Sequence, residues 1–145
     1  MSDTRLLLLD TNVVLQLVRG NATGEALDRA YGLRARPDRP LISIVTVGEM
    51  LAMAKRLNWG AKKVETLKLL ASELVVVDID NQRVLDNYAE IHAFAVTNGY
   101  MLGDNDIWIA ATAAAAGAVL LTTDRDFDPL ADILLTRIYF DPAVG

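Results

Sequence analysis

Four acids occupy positions from which they could act together: Asp10 directly after the apolar run Leu6 to Leu9, Glu49 one helical turn after Leu41 to Val45, Asp106 at the start of a long apolar segment, and Asp124 just after Val119 to Thr123. Taken singly, each has a plain structural reading as a helix cap or as an acid favoured by a helix dipole. Asp10 fits that reading least well, because an unpaired carboxylate buried beside a leucine run costs on the order of several kcal/mol. It needs a partner, and a divalent cation held by several converging carboxylates is a natural one. The chain has no cysteine and one histidine, His92. Thiolate sites, a cysteine nucleophile and zinc sites with two or three histidines are thereby excluded, and a serine triad would have to be built on His92. A metal here must be held by oxygen, which selects hard ions such as Mg²⁺ or Mn²⁺. The matching chemistry is hydrolysis of a phosphodiester by a water whose pKa the ion lowers, with a second ion able to stabilise the leaving oxygen.

These acids must be positioned by the elements around them. Leu6 to Leu9, Leu41 to Val45, Leu74 to Val77, Val119 to Thr122 and Leu135 to Phe140 read as strands, the first apolar on both faces as a central parallel strand should be. Between them the pattern predicts helices from near Asn12, over Glu25 to Ala35, from a Thr46-Val47-Gly48-Glu49 capping box to Leu57, over Ala61 to Ser72, and from an Asp80 or Asn81 cap to Thr97. A last, almost wholly apolar helix opens at Gly103-Asp104-Asn105-Asp106 and stops at Gly117, and such a helix must be buried. Asp104 and Asp106 lie about 200° apart around its axis, so only one can face a site. The stripe Ile109, Ala110 and Ala113 puts Asp106 inward and leaves Asp104 as the cap. Alternating strands and helices predict a three-layer α/β/α sandwich around a parallel sheet of about five strands, one domain over 1–145, with ligands beyond the carboxyl ends of the strands.

Composition agrees with a full core: 145 residues, 52% hydrophobic and 23% charged. The net charge of −5 argues against binding nucleic acid by blanket attraction to phosphate. Its distribution is uneven, with eleven Lys/Arg against seven acids in residues 1–68 and three against twelve in 69–145. Lys55, Arg56, Lys62 and Lys63 around Trp59 are the candidate phosphate-contacting patch, set against the plainer reading of a solvated helix hairpin. His92 reads as structural or simply exposed, and Trp108 as core rather than a base-stacking platform. The first apolar run is too short for a secretory core or a membrane span, so no membrane association and a cytoplasmic location are the expectation.

Leu8-Leu9-Asp10-Thr11-Asn12, Thr46-Val47-Gly48-Glu49-Met50, Asn105-Asp106-Ile107-Trp108-Ile109-Ala110-Ala111-Thr112-Ala113 and Leu121-Thr122-Thr123-Asp124-Arg125-Asp126-Phe127 together resemble the successive motifs of PIN domains, and among these the VapC toxins of prokaryotic toxin–antitoxin pairs. The resemblance covers the whole chain in order. It implies a Mg²⁺- or Mn²⁺-dependent endoribonuclease in which Asp10, Glu49, Asp106 and Asp124 are catalytic. Asp10, Asp106 and Asp124 would hold the ion, and Glu49 would join directly or through water. Asn12 and Thr122 would be polar neighbours, with Asp104 and Asp126 as further acids near the motifs. It also implies an RNA substrate, a homodimer and a VapB-like antitoxin partner. The alternatives within the family are a nuclease of RNA processing or of structured DNA, or an inert metal-binding interaction module. A haloacid-dehalogenase phosphatase would want an Asp where Asn12 stands, and a receiver domain would want an adjacent acidic pair near the start; neither is present.

Overall fold

In the computed structural model, which describes residues 4–143, five short strands form one parallel sheet in the order β3-β2-β1-β4-β5. β1 is Leu7–Leu9, β2 Leu41–Ser43, β3 Val75–Val77, β4 Val119–Thr122 and β5 Arg137–Tyr139. Side chains alternate across a strand, and the central strand obeys this: Leu7 and Leu9 enter one core, Leu8 the other. Four helices cover the first face: α1 (Thr11–Arg19), α2 (Ala22–Tyr31), α3 (Ile44–Arg56) and α4 (Ala61–Glu73). The second is covered by α5 (Gln82–Asn98), α6 (Asp104–Ala116) and the 3-10 turn Arg125–Leu130. The three layers predicted from the alternation are present. The ends of the single domain expected over 1–145, residues 1–3 and 144–145, lie outside the described residues. Among the described residues, no helix is long and apolar enough to cross a membrane.

The helix expected to be buried is buried: Ile107, Ile109, Ala110, Ala111, Thr112 and Ala113 are all enclosed, and Gly117 ends it in the left-handed conformation at φ 64°. Two helix starts differ from expectation. α3 begins at Ile44, because the Ser43 hydroxyl accepts the Val45 N–H at 3.1 Å and stops β2 there. Thr46 and Glu49 are therefore not a capping box but neighbours on one face inside the helix. α2 begins at Ala22, three residues before the expected Glu25, since Asn21 accepts the Gly24 N–H at 2.9 Å, and Gly32 ends it at φ 56° instead of letting it run to Ala35. Gly24 also marks where α2 crosses α1. A Cβ there would sit 2.3 Å from the Gln16 carbonyl oxygen, so only glycine lets the two backbones approach this closely.

The sheet order fixes where a site can form. β1 lies between β2 and β4, and the chain leaves it toward β2 on one side and returns as β4 on the other. The crevice at the carboxyl ends of β1 and β4 is the switch point at which open α/β sheets take their ligands.

Candidate active site

Asp10 is the residue immediately beyond β1, where it begins α1 while almost fully enclosed, at 3% exposure. Its Oδ1 accepts the Thr11 N–H and its Oδ2 the Thr122 hydroxyl, each at 2.8 Å. Thr122, the last residue of β4, in turn accepts the Asp124 N–H at 2.9 Å. One buried hydroxyl thus ties together the ends of the two strands at the switch point. A second chain of hydroxyls reaches α3. Thr11 Oγ1 lies 2.7 Å from Glu49 Oε1 and 3.0 Å from Thr46 Oγ1. A carboxylate can only accept, so the single Thr11 proton goes to Glu49 and Thr46 donates to Thr11. Thr46 and Glu49, three apart on α3, point to the same place.

Asp106 enters from α6. It is half-buried, on the stripe of Ile109, Ala110 and Ala113 as the sequence predicts, and its carboxylate accepts no hydrogen bond from any described residue. Asp10, Asn12, Glu49, Asn105 and Asp106 line one open cleft of about 310 Å³. Asp124 is not part of that lining, but its charge acts on both Asp10 and Asp106. It also caps the 3-10 turn, accepting the Asp126 N–H at 2.9 Å. Asp126 is exposed, its carboxyl raised by partial burial and by Asp124. Asp104 departs from expectation. The residue preceding α6 is Gly103, with no side-chain cap, and Asp104 is exposed and accepts the Tyr88 hydroxyl at 3.3 Å. His92 is exposed and stacks on Tyr88, and Trp108, partly buried against the second core, stacks on the same ring at 3.9 Å.

The electrostatics of the cleft are unbalanced. Burial pushes Asp10 up to about 6 against the lowering effect of its bonds from Thr122 and Thr11, with Asp124 and Glu49 raising it further. Asp106 is pushed up to about 7 by burial and then by Asp10, Asp124, Asp126 and Glu49. No basic side chain is among the charges acting on either. An oxygen-rich, net-negative cleft whose acids Asp10 and Asp106 have no basic side chain acting on them is the environment a hard divalent cation fits. Among the described residues no group of three acids is placed to ligate one ion. The three ligands that the resemblance implies, Asp10, Asp106 and Asp124, are therefore not gathered around one point, and the cleft offers one or two carboxylates, the number Mg²⁺ typically takes beside its waters. Sequence reasoning missed Thr11, Thr46 and Asn105 as site residues. The available signal was a hydroxyl next to Asp10 and another one helical turn before Glu49.

A family model of the PIN domain matches residues 7–133. The chain belongs to the PIN-domain family. It is 30% identical over 138 residues to ribonuclease VapC5 of Mycobacterium tuberculosis, covering 90% of this PIN domain and 94% of that protein. It is 28% identical to ribonuclease VapC1 of Haemophilus influenzae, over 87% and 92% of the two chains. Among solved structures it is similar to VapBC2 of Rickettsia felis bound to a promoter DNA fragment, with a TM-score of 0.77, 20% identity and coverage of 91% and 98%. FitAcB of Neisseria gonorrhoeae gives a TM-score of 0.67 at 27% identity, over 95% and 99%. These likenesses span most of this chain and nearly the whole length of each of those proteins.

Proposed function

We propose that this PIN domain is the toxin ribonuclease of a VapBC-type toxin–antitoxin pair, and that it hydrolyses RNA phosphodiester bonds with Mg²⁺ or Mn²⁺ bound in the acid cleft. The observation that carries the reading is Asp106: a half-buried carboxylate, with no hydrogen bond from any described residue, raised to about 7 among four other acids. The names of the curated relatives supply the substrate class. When bound, the ion supplies a Lewis acid and a water acidified toward neutral pH. The protein's own part is positional. Thr122 and the Thr11 N–H hold Asp10 in one orientation, Thr11 holds one oxygen of Glu49, and Asp106 keeps both oxygens free. Asp10 and Asp106 would be direct ligands, Asp124 would act by charge or through water, and Glu49 has Oε2 available to orient the attacking water.

The reading is tested by incubating the purified protein with single-stranded RNA and with flapped DNA in Mn²⁺, Mg²⁺ or EDTA. RNA should be cleaved with either metal and spared in EDTA. Cleavage that persists in excess EDTA removes the mechanism, and cleavage of the DNA alone removes the ribonuclease reading. The partner reading, a homodimer and a VapB-like antitoxin, is supported by the exposed Leu51 on α3, Leu57 just after it and Leu69 on α4. Light scattering should give a dimer mass at tens of micromolar, and the product of the neighbouring gene should co-purify and inhibit cleavage. A monomer mass speaks against the first and independent elution against the second.

A further inference from the structure

Among the described residues Arg56 is the one cation that lines the acid cleft. It ends α3 seven residues after Glu49, and Ala52 and Met53 between them also line the cleft. Glu49 and Arg56 therefore lie on one stripe, about 10 Å apart along the helix. Placed among carboxylates, an arginine would be expected to pair with them. Its side chain makes no hydrogen bond or ion pair with any described residue, and it is not among the charges that shift Asp10 or Asp106. The neighbouring basic residues are placed differently: Lys63 lies over the Trp59 ring at 4.3 Å, and Lys55 and Lys62 are exposed outside the cleft lining. Next to the cleft is a shallower depression that shares Glu49, Asn105 and Asp106 with it and reaches Gly103 and Asp104. The two form a trough with a single cation at one end and an acid at the other.

A polyanion laid in such a trough is repelled along most of its length, and an unengaged guanidinium is the group best suited to grip a phosphate oxygen pair. The geometry points to Arg56 as the residue that positions the substrate: it takes the phosphate of a nucleotide beside the cleaved one, on the α3 side. It thereby sets the direction in which a single RNA strand crosses Glu49 and Asp106. This rests on the ribonuclease reading above and adds a requirement to it, that the strand must extend past the cleaved bond toward Arg56.

The test uses a single-stranded RNA oligonucleotide with Mg²⁺, and compares wild type, Arg56→Ala, Arg56→Lys and, as a basic residue outside the cleft, Lys62→Ala. Arg56→Ala should raise KM about tenfold, the loss of one charge-assisted contact, with a smaller change in kcat. The slope of log kcat/KM against log salt should fall by about 0.7, the share of one phosphate contact on a single strand. Arg56→Lys should restore the slope but only part of the KM, because a point charge lacks the planar fork. Replacing the non-bridging charge of one flanking phosphate by a methylphosphonate should weaken the wild type and leave Arg56→Ala unaffected. Anisotropy binding of the same oligonucleotide in EDTA should follow the same order among the variants. If Arg56→Ala keeps the wild-type KM and salt slope, if the two losses simply add, or if Lys62→Ala does the same damage, Arg56 does not position the strand. A wild type that cleaves no RNA in either metal overturns the ribonuclease reading and this inference with it, whereas normal cleavage by Arg56→Ala overturns this inference alone.

Discussion

Two hollows open at opposite ends of the sheet, and the larger is at the end without the acid cluster. The hollow of about 490 Å³ lies at the amino ends of β4 and β5, lined by Ala118, Val119, Leu135 and Thr136 with Asp132 at its margin. The acid cleft at the carboxyl ends is about 310 Å³. Volume would select the first. What distinguishes the second is charge left without a partner, because parallel strands leave the switch between β1 and β4 at their carboxyl ends and three further elements bring acids to it. The contrast also holds between single residues. Asp128 on the 3-10 turn is met by Arg137 at 3.0 Å and by Arg125 at 3.7 Å, a neutralised surface cluster. Asp106 has no such partner. Asp128 has its counter-charge supplied by the fold, whereas Asp106 is half-buried and surrounded by other acids, the setting in which a carboxylate is a candidate for a ligand.

The largest effect that separates the two ends should come from Asp106→Asn. Cleavage should fall by more than about 100-fold, beyond the loss usually seen when a group one step removed from a metal is replaced, whereas Asp132→Asn in the larger hollow should leave the rate unchanged. Equal losses would erase the distinction. Next comes Thr122→Val, which removes the hydroxyl that holds Asp10 Oδ2 and should cost about 10- to 100-fold. Because that hydrogen bond lowers Asp10, its loss should also move the pH midpoint of Mn²⁺ binding upward, which calorimetry at stepped pH would read. A smaller effect appears in the stability of the metal-free protein. Between the ordinary carboxylate value of 3.8 and the raised values of about 6 and about 7, the folded state holds protons that the unfolded chain has already released. Raising pH through this window draws those protons off at the expense of the fold, so the melting temperature should fall, and Asp106→Asn should flatten the fall and melt higher above about pH 7. A melting temperature that climbs across the window would mean that the acids are already balanced. The smallest effect is assigned to Asp104→Asn, which should retain most activity, since Asp104 is exposed and among the described residues bonds only to Tyr88; inactivity would place Asp104 rather than Asp106 at the reacting centre.

What the sequence carried and what it did not follow from the range of each interaction. The orientation of Asp106 was legible because it depends on a stripe within one helix, and Asp10 because a carboxylate after a leucine run is anomalous in itself. The start of α3 was not legible. Ser43 and Thr46 are both hydroxyl residues before an apolar helix, and what assigns Ser43 to the cap and Thr46 to the site is the Thr11 hydroxyl, 35 residues away in sequence. Asp104 illustrates the same limit, since its partner Tyr88 sits on another helix. The order of strands was hidden as well: they are three or four residues long and mostly apolar, so nothing in them ranks one neighbour over another. Membership of the basic patch around Trp59 was readable from residue types alone, while the entry of Arg56 alone into the cleft depends on how α3 faces α6.

The crossing of α2 over α1 at Gly24 gives the molecule a fuse. Asp10 caps the start of α1, so whatever displaces α1 at its far end acts on the site through a rigid helix rather than through its chemistry. One methyl group at position 24 would meet the Gln16 carbonyl at 2.3 Å and force the two helices apart, an overpacking cost of about 1–3 kcal/mol. In a domain of this size that lowers the melting temperature by about 2–4 °C for each kcal/mol. Gly24→Ala should therefore be a heat-sensitive allele: every carboxylate intact, activity near normal in the cold, and activity lost on warming several degrees below the wild type. Such a variant would let the proposed cleavage activity be switched by temperature with every site residue intact.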